Sequence, residues 1–327
     1  MMKLPLPFRG LQRWLAGVLL AGITGLAQAA YPEQPIKLLV GFPPGGGGDL
    51  YGRAIATELG KQLGQSVVVD NRVGAGGNIA ADVVAKAKPD GYTLILAMSG
   101  NFGTAPAMRA TLPYKVPGDF VPIAQLVETP FGLMVSGNSP IRSAQEFIAA
   151  ARPGKLSYAS TGTGGAAQVV MEMVKQAGKL DILHIPYKGS GPALTDLIGG
   201  QVQFSFAAPA AALTFITNGR LKALAVSGDA RLPAMPQVPT FTEAGMPGFH
   251  ARLWFGFLAK AGTPPALVEK LAADIGAVMD TPEMKERLLG MGLDRYANGP
   301  EAYGAQMKAD LARYADLVKK ANIKLEN

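Results

Sequence analysis

The stretch Leu38-Leu39-Val40-Gly41-Phe42-Pro43-Pro44-Gly45-Gly46-Gly47-Gly48-Asp49 limits the fold most sharply. An apolar run empties into two prolines and four consecutive glycines, and the chain then resumes with helical spacing. A strand feeding a glycine-rich turn and a helix start brings bare backbone N–H groups and the positive end of a helix dipole to one place, which makes an anion-receiving device. A flexible connector is the competing reading, because glycine runs are common in linkers.

The sequence around this stretch repeats its design. Ile36-Lys37-Leu38-Leu39-Val40 reads as a strand. Ala54, Ile55, Leu59 and Leu63 share one helix face that ends at Gly64, with Asp49 placed to cap its start. Val67-Val68-Val69 is a second strand, followed by Asp70-Asn71-Arg72 and another glycine turn, Gly74-Ala75-Gly76-Gly77. A helix carrying Ile79, Val83 and Val84 stops at Pro89-Asp90-Gly91. Tyr92-Thr93-Leu94-Ile95-Leu96-Ala97 is a third strand, ending in Ser99-Gly100-Asn101. Strands alternating with helices at these lengths predict βαβ units and a mostly parallel sheet, with ligands at the strand C-terminal ends.

Two strands then follow in succession, over residues 123–127 and 132–135, and the chain is expected to cross into a second lobe near Glu128-Thr129-Pro130. There the pattern recurs: strand Leu156-Ser157-Tyr158-Ala159, loop 160–165, a helix over Val169, Val170, Met173 and Val174, and strand Ile182-Leu183-His184-Ile185. Pro192 sits at a helix start, and strands over 202–206 and 221–226 complete the unit. A proline-rich passage, 233–247, leads back to Trp254-Phe255-Gly256-Phe257-Leu258. The remainder reads as helical, with Thr263 and Thr281 as N-caps and two core-facing stripes, Leu267/Leu271/Ile275/Val278 and Tyr303/Met307/Leu311/Tyr314/Val318. The expected architecture is α/β and two-lobed, residues 30–130 with 251–327 forming one domain and 131–250 the other. Both glycine loops would line the cleft between them.

Lys3, Arg9 and Arg13 precede an uncharged apolar run, 14–26, that closes on Ala27-Gln28-Ala29. That order predicts a secretory signal over residues 1–29, cleaved after Ala29, rather than a retained anchor. Loss of those three charges takes the formal net charge of +7 to +4, and what remains is scattered. Nucleic-acid binding is not expected, since neither Lys86/Lys88 nor Lys319/Lys320 is interleaved with aromatic residues. The chain has no cysteine, so neither a disulfide framework nor a lipidated N-terminal cysteine is available. Its two histidines, His184 and His250, lack partners at metal-ligand spacing.

Catalytic motifs fare poorly. Gly162-Thr163-Gly164-Gly165-Ala166-Ala167 matches a dinucleotide fingerprint, but the acid that should end the next strand is absent, because Asp181 begins that strand. No Lys-Ser/Thr follows the first glycine run, and no G-x-S-x-G elbow exists. His184 in an apolar strand reads as a core histidine, and Glu172 as a partner of Gln168 one turn away. Anion-receiving loops without a reacting group are the profile of a receptor.

Taken together, Phe42-Pro43-Pro44-Gly45-Gly46 with Asp49, Val69-Asp70-Asn71-Arg72 before Gly74-Ala75-Gly76-Gly77-Asn78, Lys88-Pro89-Asp90-Gly91-Tyr92-Thr93-Leu94, Pro186-Tyr187-Lys188-Gly189, Gly199-Gly200-Gln201-Val202 and Trp254-Phe255-Gly256 closely resemble the tripartite tricarboxylate transporter receptors, also called the Bug family. The resemblance runs in order through the whole chain after residue 29. It implies a periplasmic solute-binding protein of the type II two-lobed fold, without catalytic activity or cofactor, monomeric, closing on a small carboxylate and passing it to membrane transporter subunits. A carboxylate sensor feeding a signalling partner and a secreted α/β enzyme remain the alternatives. By the same resemblance the ligand would meet Phe42, Pro43, Gly46, Gly47 and Asp49 of the first loop, Ser99 and Asn101 beside it, Ser160, Thr161, Thr163, Gly165 and Ala166 of the second loop, and Ala207 at the specificity end. This chain departs from the family pattern at Gly165-Ala166, Gln168, Ala207-Ala208, Ser99 and Phe102, where hydroxyls and one charge give way to small or apolar groups.

Overall fold

In the computed structural model, residues 31–109, 111–152, 154, 156–163, 165–246 and 251–320 are described. The signal segment expected over 1–29, His250 and Gly164 lie outside the described residues. All elements below belong to the unit Gln34–Asn327; residues 31–33, which precede it, are irregular.

Two mixed sheets carry the fold. In the first, β1 (Ile36–Val40) lies parallel between β2 (Val67–Asn71) and β3 (Thr93–Met98). Helix α1 (Gly47–Leu63) connects β1 to β2, and α2 (Asn78–Ala85) leads from β2 to β3. After the short helix α3 (Ala105–Met108), the long strand β4 (Phe120–Pro130) carries the chain out of this sheet.

The second sheet opens with β5 (Gly132–Ser136) and α4 (Ala144–Ala151). Then β6 (Leu156–Ser160), α5 (Ala166–Gly178), β7 (Ile182–Pro186), α6 (Ser190–Ile198) and β8 (Phe204–Ala207) repeat the βαβαβ unit. Short α7 (Leu213–Thr217) and β9 (Leu221–Val226) complete it. The chain returns to the first sheet as β10 (Arg252–Lys260), continues through α8 (Pro265–Asp280) and α9 (Pro282–Gly290) to β11 (Asp294–Asn298), and finishes in α10 (Pro300–Lys320).

The strand orders, β11-β4-β10-β3-β1-β2 and β7-β6-β8-β5-β9, share one plan. Three parallel strands, the first in sequence at their middle, are joined by an antiparallel strand, β10 or β5. The mostly parallel sheet read from the sequence is therefore corrected to a mixed one. Strands β5 and β10 each arrive from the other sheet, so no crossover helix forces them parallel.

Burial follows the patterning. One core gathers Leu39, Ile95, Phe102, Trp254, Leu258 and Tyr303; the other gathers Met134, Ala159, Leu194, Leu197, Val202 and Ala212. Trp254 donates its indole N–H to Asp310 Oδ2 at 2.6 Å, which explains a carboxylate buried under α10. A third cluster joins the two lobes, with Val169 of α5 against Met108, Tyr314 and Val318.

Several local readings are corrected. Helix α1 starts at Gly47, so Asp49 stands inside its first turn and Gly46 is the N-cap without a side-chain bond. Thr281 caps α9 through Met284 N–H, but Thr263 precedes the cap of α8 and instead donates its hydroxyl to Lys260 O at 2.8 Å. Apart from these corrections, Glu172 accepts from Lys175 Nζ at 2.9 Å and from the Tyr158 hydroxyl at 3.5 Å. The segment read as wholly helical contains β11, an edge strand paired to β4.

Candidate functional site

The first glycine loop is held from beneath by Asp49. Its Oδ2 accepts the Gly45 N–H at 2.9 Å, its Oδ1 accepts Asn71 Nδ2 at 2.9 Å, and Arg53 Nε lies 3.0 Å from the carboxylate. Asn71 Nδ2 also reaches Phe42 O at 2.9 Å, so one carboxylate and one amide tie the end of β2, the loop and α1 together. Burial alone would raise the Asp49 carboxyl; the bonds from Arg53, Gly45 and Asn71 outweigh it and hold the group below its ordinary value. Gly45 has φ of 82°, a left-handed turn that bends its N–H back onto Asp49. The Gly47 and Gly48 N–H groups that follow open α1, where no preceding helical turn can accept them.

The second loop leaves β6 at Ser160. Its Oγ accepts the Gly162 N–H at 3.3 Å, donates to Gly162 O at 3.0 Å, and lies 2.7 Å from His184 Nε2. A neutral imidazole carrying its proton on Nε2 satisfies all three contacts. Burial first, and then Lys175, lower the His184 pKa to about 4, and its ring stacks on Tyr158 at 4.8 Å. The loop ends at Gly165, an extended N-cap making no side-chain bond, so α5 opens with bare N–H groups at Ala166 and Ala167. Helix α6 likewise opens at Ser190 behind Gly189, again without a side-chain cap.

These three helix starts converge on one cavity of about 40 Å³. Phe42, Gly46, Gly47 and Gly48 line it from the first lobe, and Thr161, Gly162, Gly165, Ala166, Ala167 and Ser190 from the second. Met98, Phe131, Ala207, Ala208, Leu253 and Phe255 supply an apolar wall, with Gly76 and Gly100 between. The lobes touch beside it. A Cβ on Gly189, whose φ is 137°, would come 2.7 Å from Pro43 Cδ, and one on Gly162 would come 3.3 Å from Gly76 Cα. Arg109 Nη2 also reaches across to Thr163 O at 3.5 Å. The two glycine loops thus face each other across a narrow cleft.

Of the residues singled out in the sequence, Phe42, Gly46, Gly47, Thr161, Gly165, Ala166 and Ala207 border the cavity. Pro43 does not; its ring fills the notch left by Gly189. Asp49 and Ser160 lie behind the two loops as anchors. Asn101 is buried, accepting Met98 N–H at 3.0 Å and reaching Gly77 O at 3.5 Å. Ser99 is buried, its hydroxyl without a partner among the described residues, and Thr163 borders an outer cavity of about 160 Å³ shared with Tyr187 and Lys188. Sequence reasoning passed over Met98, Phe131, Leu253 and Phe255, which look like core in any strand, and Ser190, which the rule of ligands at strand ends could have marked.

The sequence model of the family described as tripartite tricarboxylate transporter family receptor matches residues 52–323. Protein BugT of Bordetella pertussis is 36% identical over 310 residues, covering 94% of this chain and 95% of BugT. Among solved structures, R. palustris Rpa4515 with adipate is 32% identical with a TM-score of 0.88, covering 90% of this chain and 100% of that one. MatC from Rhodopseudomonas palustris with bound malate is 33% identical with a TM-score of 0.82, covering 88% and 100%.

Proposed function

This chain belongs to the tripartite tricarboxylate transporter receptor family, and on that premise we propose that it captures a small carboxylate in the periplasm and delivers it to membrane transporter subunits. The observation that carries the reading is the convergence of three helix starts without side-chain caps, those of α1, α5 and α6, on one cavity. Backbone N–H groups and helix dipoles neutralise a carboxylate without burying a lysine or arginine, so binding stays reversible. The relatives with adipate and malate, both carboxylates, support the ligand class.

In this reading Gly46 and Gly47 hold the carboxylate from the first lobe, Thr161, Gly165 and Ala166 close on it from the second, and Phe42 and Ala207 shape the rest. Asp49, Asn101 and Ser160 keep the loops in register, while Pro43 and Thr163 meet the opposite lobe as it shuts. Ser99 stands beside Met98 and Gly100, which border the cavity. Residues 30–130 with 251–327 act as one closing body and 131–250 as the other. The protein works as a monomer. It performs no catalysis: the Ser160–His184 pair resembles a nucleophile and base, yet the Ser160 hydroxyl is enclosed and donates to Gly162 O. Secretion through residues 1–29 places it in the periplasm.

Thermal melting with carboxylates, nucleotides and amines checks the reading. A bound carboxylate at about 100 times its Kd adds roughly 2.7 kcal/mol to stability. Stabilisation by nucleotides or amines and not by any carboxylate would count against it.

A further inference from the structure

The chain has no cysteine, so its 13 methionines carry all of its sulfur. Most of those among the described residues are sealed in the cores, with Met108, Met134, Met279 and Met284 at 0% exposure. Met173, Met246 and Met291 are partly exposed, but none of them borders the cavity between the glycine loops. Met98 belongs to neither group. It is 7% exposed, and among the described methionines it alone borders that cavity. A cavity of about 40 Å³ admits a molecule little larger than water, as hydrogen peroxide is.

The Met98 sulfur stands against the first glycine loop. A Cβ built on Gly48 would come 3.4 Å from Met98 Sδ and 3.5 Å from Phe255 Cε1, so the last glycine of the loop lies close to both the thioether and the ring. The Met98 N–H is held by Asn101 Oδ1 at 3.0 Å, and Met98 is the register partner of Phe255 across β3 and β10, which fixes its backbone beside the loop. Gly47 and Gly48 open α1 with N–H groups that no earlier turn accepts. A thioether is a weak acceptor and leaves those donors to a ligand. Oxidation would set a strongly polar oxygen on the same sulfur.

We propose that Met98 is an oxidation site that controls the receptor: hydrogen peroxide converts it to the sulfoxide, whose oxygen takes the Gly47 and Gly48 N–H groups and the room that a carboxylate would use. The sulfur lone pair attacks one peroxide oxygen, and the S–O bond forms as the O–O bond breaks. The departing hydroxide takes the proton from the transferred oxygen, so sulfur is oxidised, peroxide is reduced, and the products are the sulfoxide and water. Methionine sulfoxide reductases restore the thioether, which makes the control reversible. This rests on the carboxylate-receptor reading and adds regulation to that same site.

Peptide mass spectrometry of the folded protein after graded hydrogen peroxide, with calorimetry of adipate, malate and benzoate before and after treatment, tests it. Met98 should gain its oxygen well before Met108, Met134 and Met279 do. Whichever of the three carboxylates bind the untreated protein should bind about tenfold more weakly or worse once Met98 is oxidised, and recover after reductase treatment. Met98→Leu should keep through peroxide whatever affinity it has beforehand, and Met98→Gln, with a polar group in the sulfoxide's place, should bind more weakly than Met98→Leu. A Met98 left unmodified until the protein unfolds, an affinity unchanged with Met98 oxidised, or an equal loss in peroxide-treated Met98→Leu overturns the proposal and leaves the receptor reading standing. Binding of none of the three by the untreated protein overturns both. If the variants do not fold, the oxidation map and the calorimetry of the unmutated protein decide.

Discussion

Single backbone donors, and the side chains that aim them, make the site. Ala166 is the first residue of α5, behind a Gly165 whose φ of −81° and ψ of 160° suit a following proline. Ala166→Pro should leave the helix intact and delete one N–H facing the carboxylate. Ligand affinity should then fall by about 10- to 100-fold, the worth of a hydrogen bond to a charged group, with the melting temperature nearly unchanged. Ser160 and His184 give a second test. Because burial lowers the His184 pKa from 6.5 to about 4, the unfolded chain takes up a proton that the folded chain refuses. The stability contributed by keeping His184 neutral is full above pH 6.5 and is lost as pH falls towards 4. His184→Gln, which keeps a donor for Ser160 but cannot titrate, should flatten that part of a urea-denaturation pH profile and retain ligand affinity. His184→Phe should flatten it too, while weakening binding through the unanchored loop.

At the scale of elements, the lobes are joined where two chain crossings run side by side, and Ser227 stitches them. Its Oγ accepts Phe131 N–H at 2.9 Å and donates to Ala251 O, while its own N–H reaches Phe131 O at 2.9 Å. Ser227→Ala leaves a buried donor and acceptor unpaired, so unfolding in urea should show a loss of about 2 kcal/mol or more. Most elements were legible because their apolar spacing is unambiguous: β1, β3, β9 and β10 are buried runs bounded by turn residues. Edge strand β11, Asp294-Arg295-Tyr296-Ala297-Asn298, was not, since pairing on one side needs its backbone and no apolar pattern. The misplaced Asp49 cap has a physical cause as well. Glycines are poor helix formers, yet here the helix begins at Gly47, and the space beside Gly48 is taken: a Cβ there would come 3.4 Å from Met98 Sδ and 3.5 Å from Phe255, a close approach that no local signal carries.

At the scale of the whole molecule, two similar sheets shut on one another, and the site exists only where they meet. The glycine loops could be read from the sequence because their chemistry is local: strand, glycines, helix. The apolar wall could not, because Phe131, Leu253 and Phe255 become a ligand surface only when both crossings bring strand ends from distant parts of the chain to the same floor. Val169 packs with Tyr314, and Pro43 fills the space beside Gly189, so a ligand held by both loops would add to these contacts and favour this arrangement. The most direct measurement is native mass spectrometry of the protein secreted and purified without added ligand, followed by release and identification of the bound molecule. One small carboxylate per chain is expected, recovered chemically unchanged after incubation. A bound nucleotide, phosphate ester or amine in its place, or conversion of the molecule to product, would contradict it.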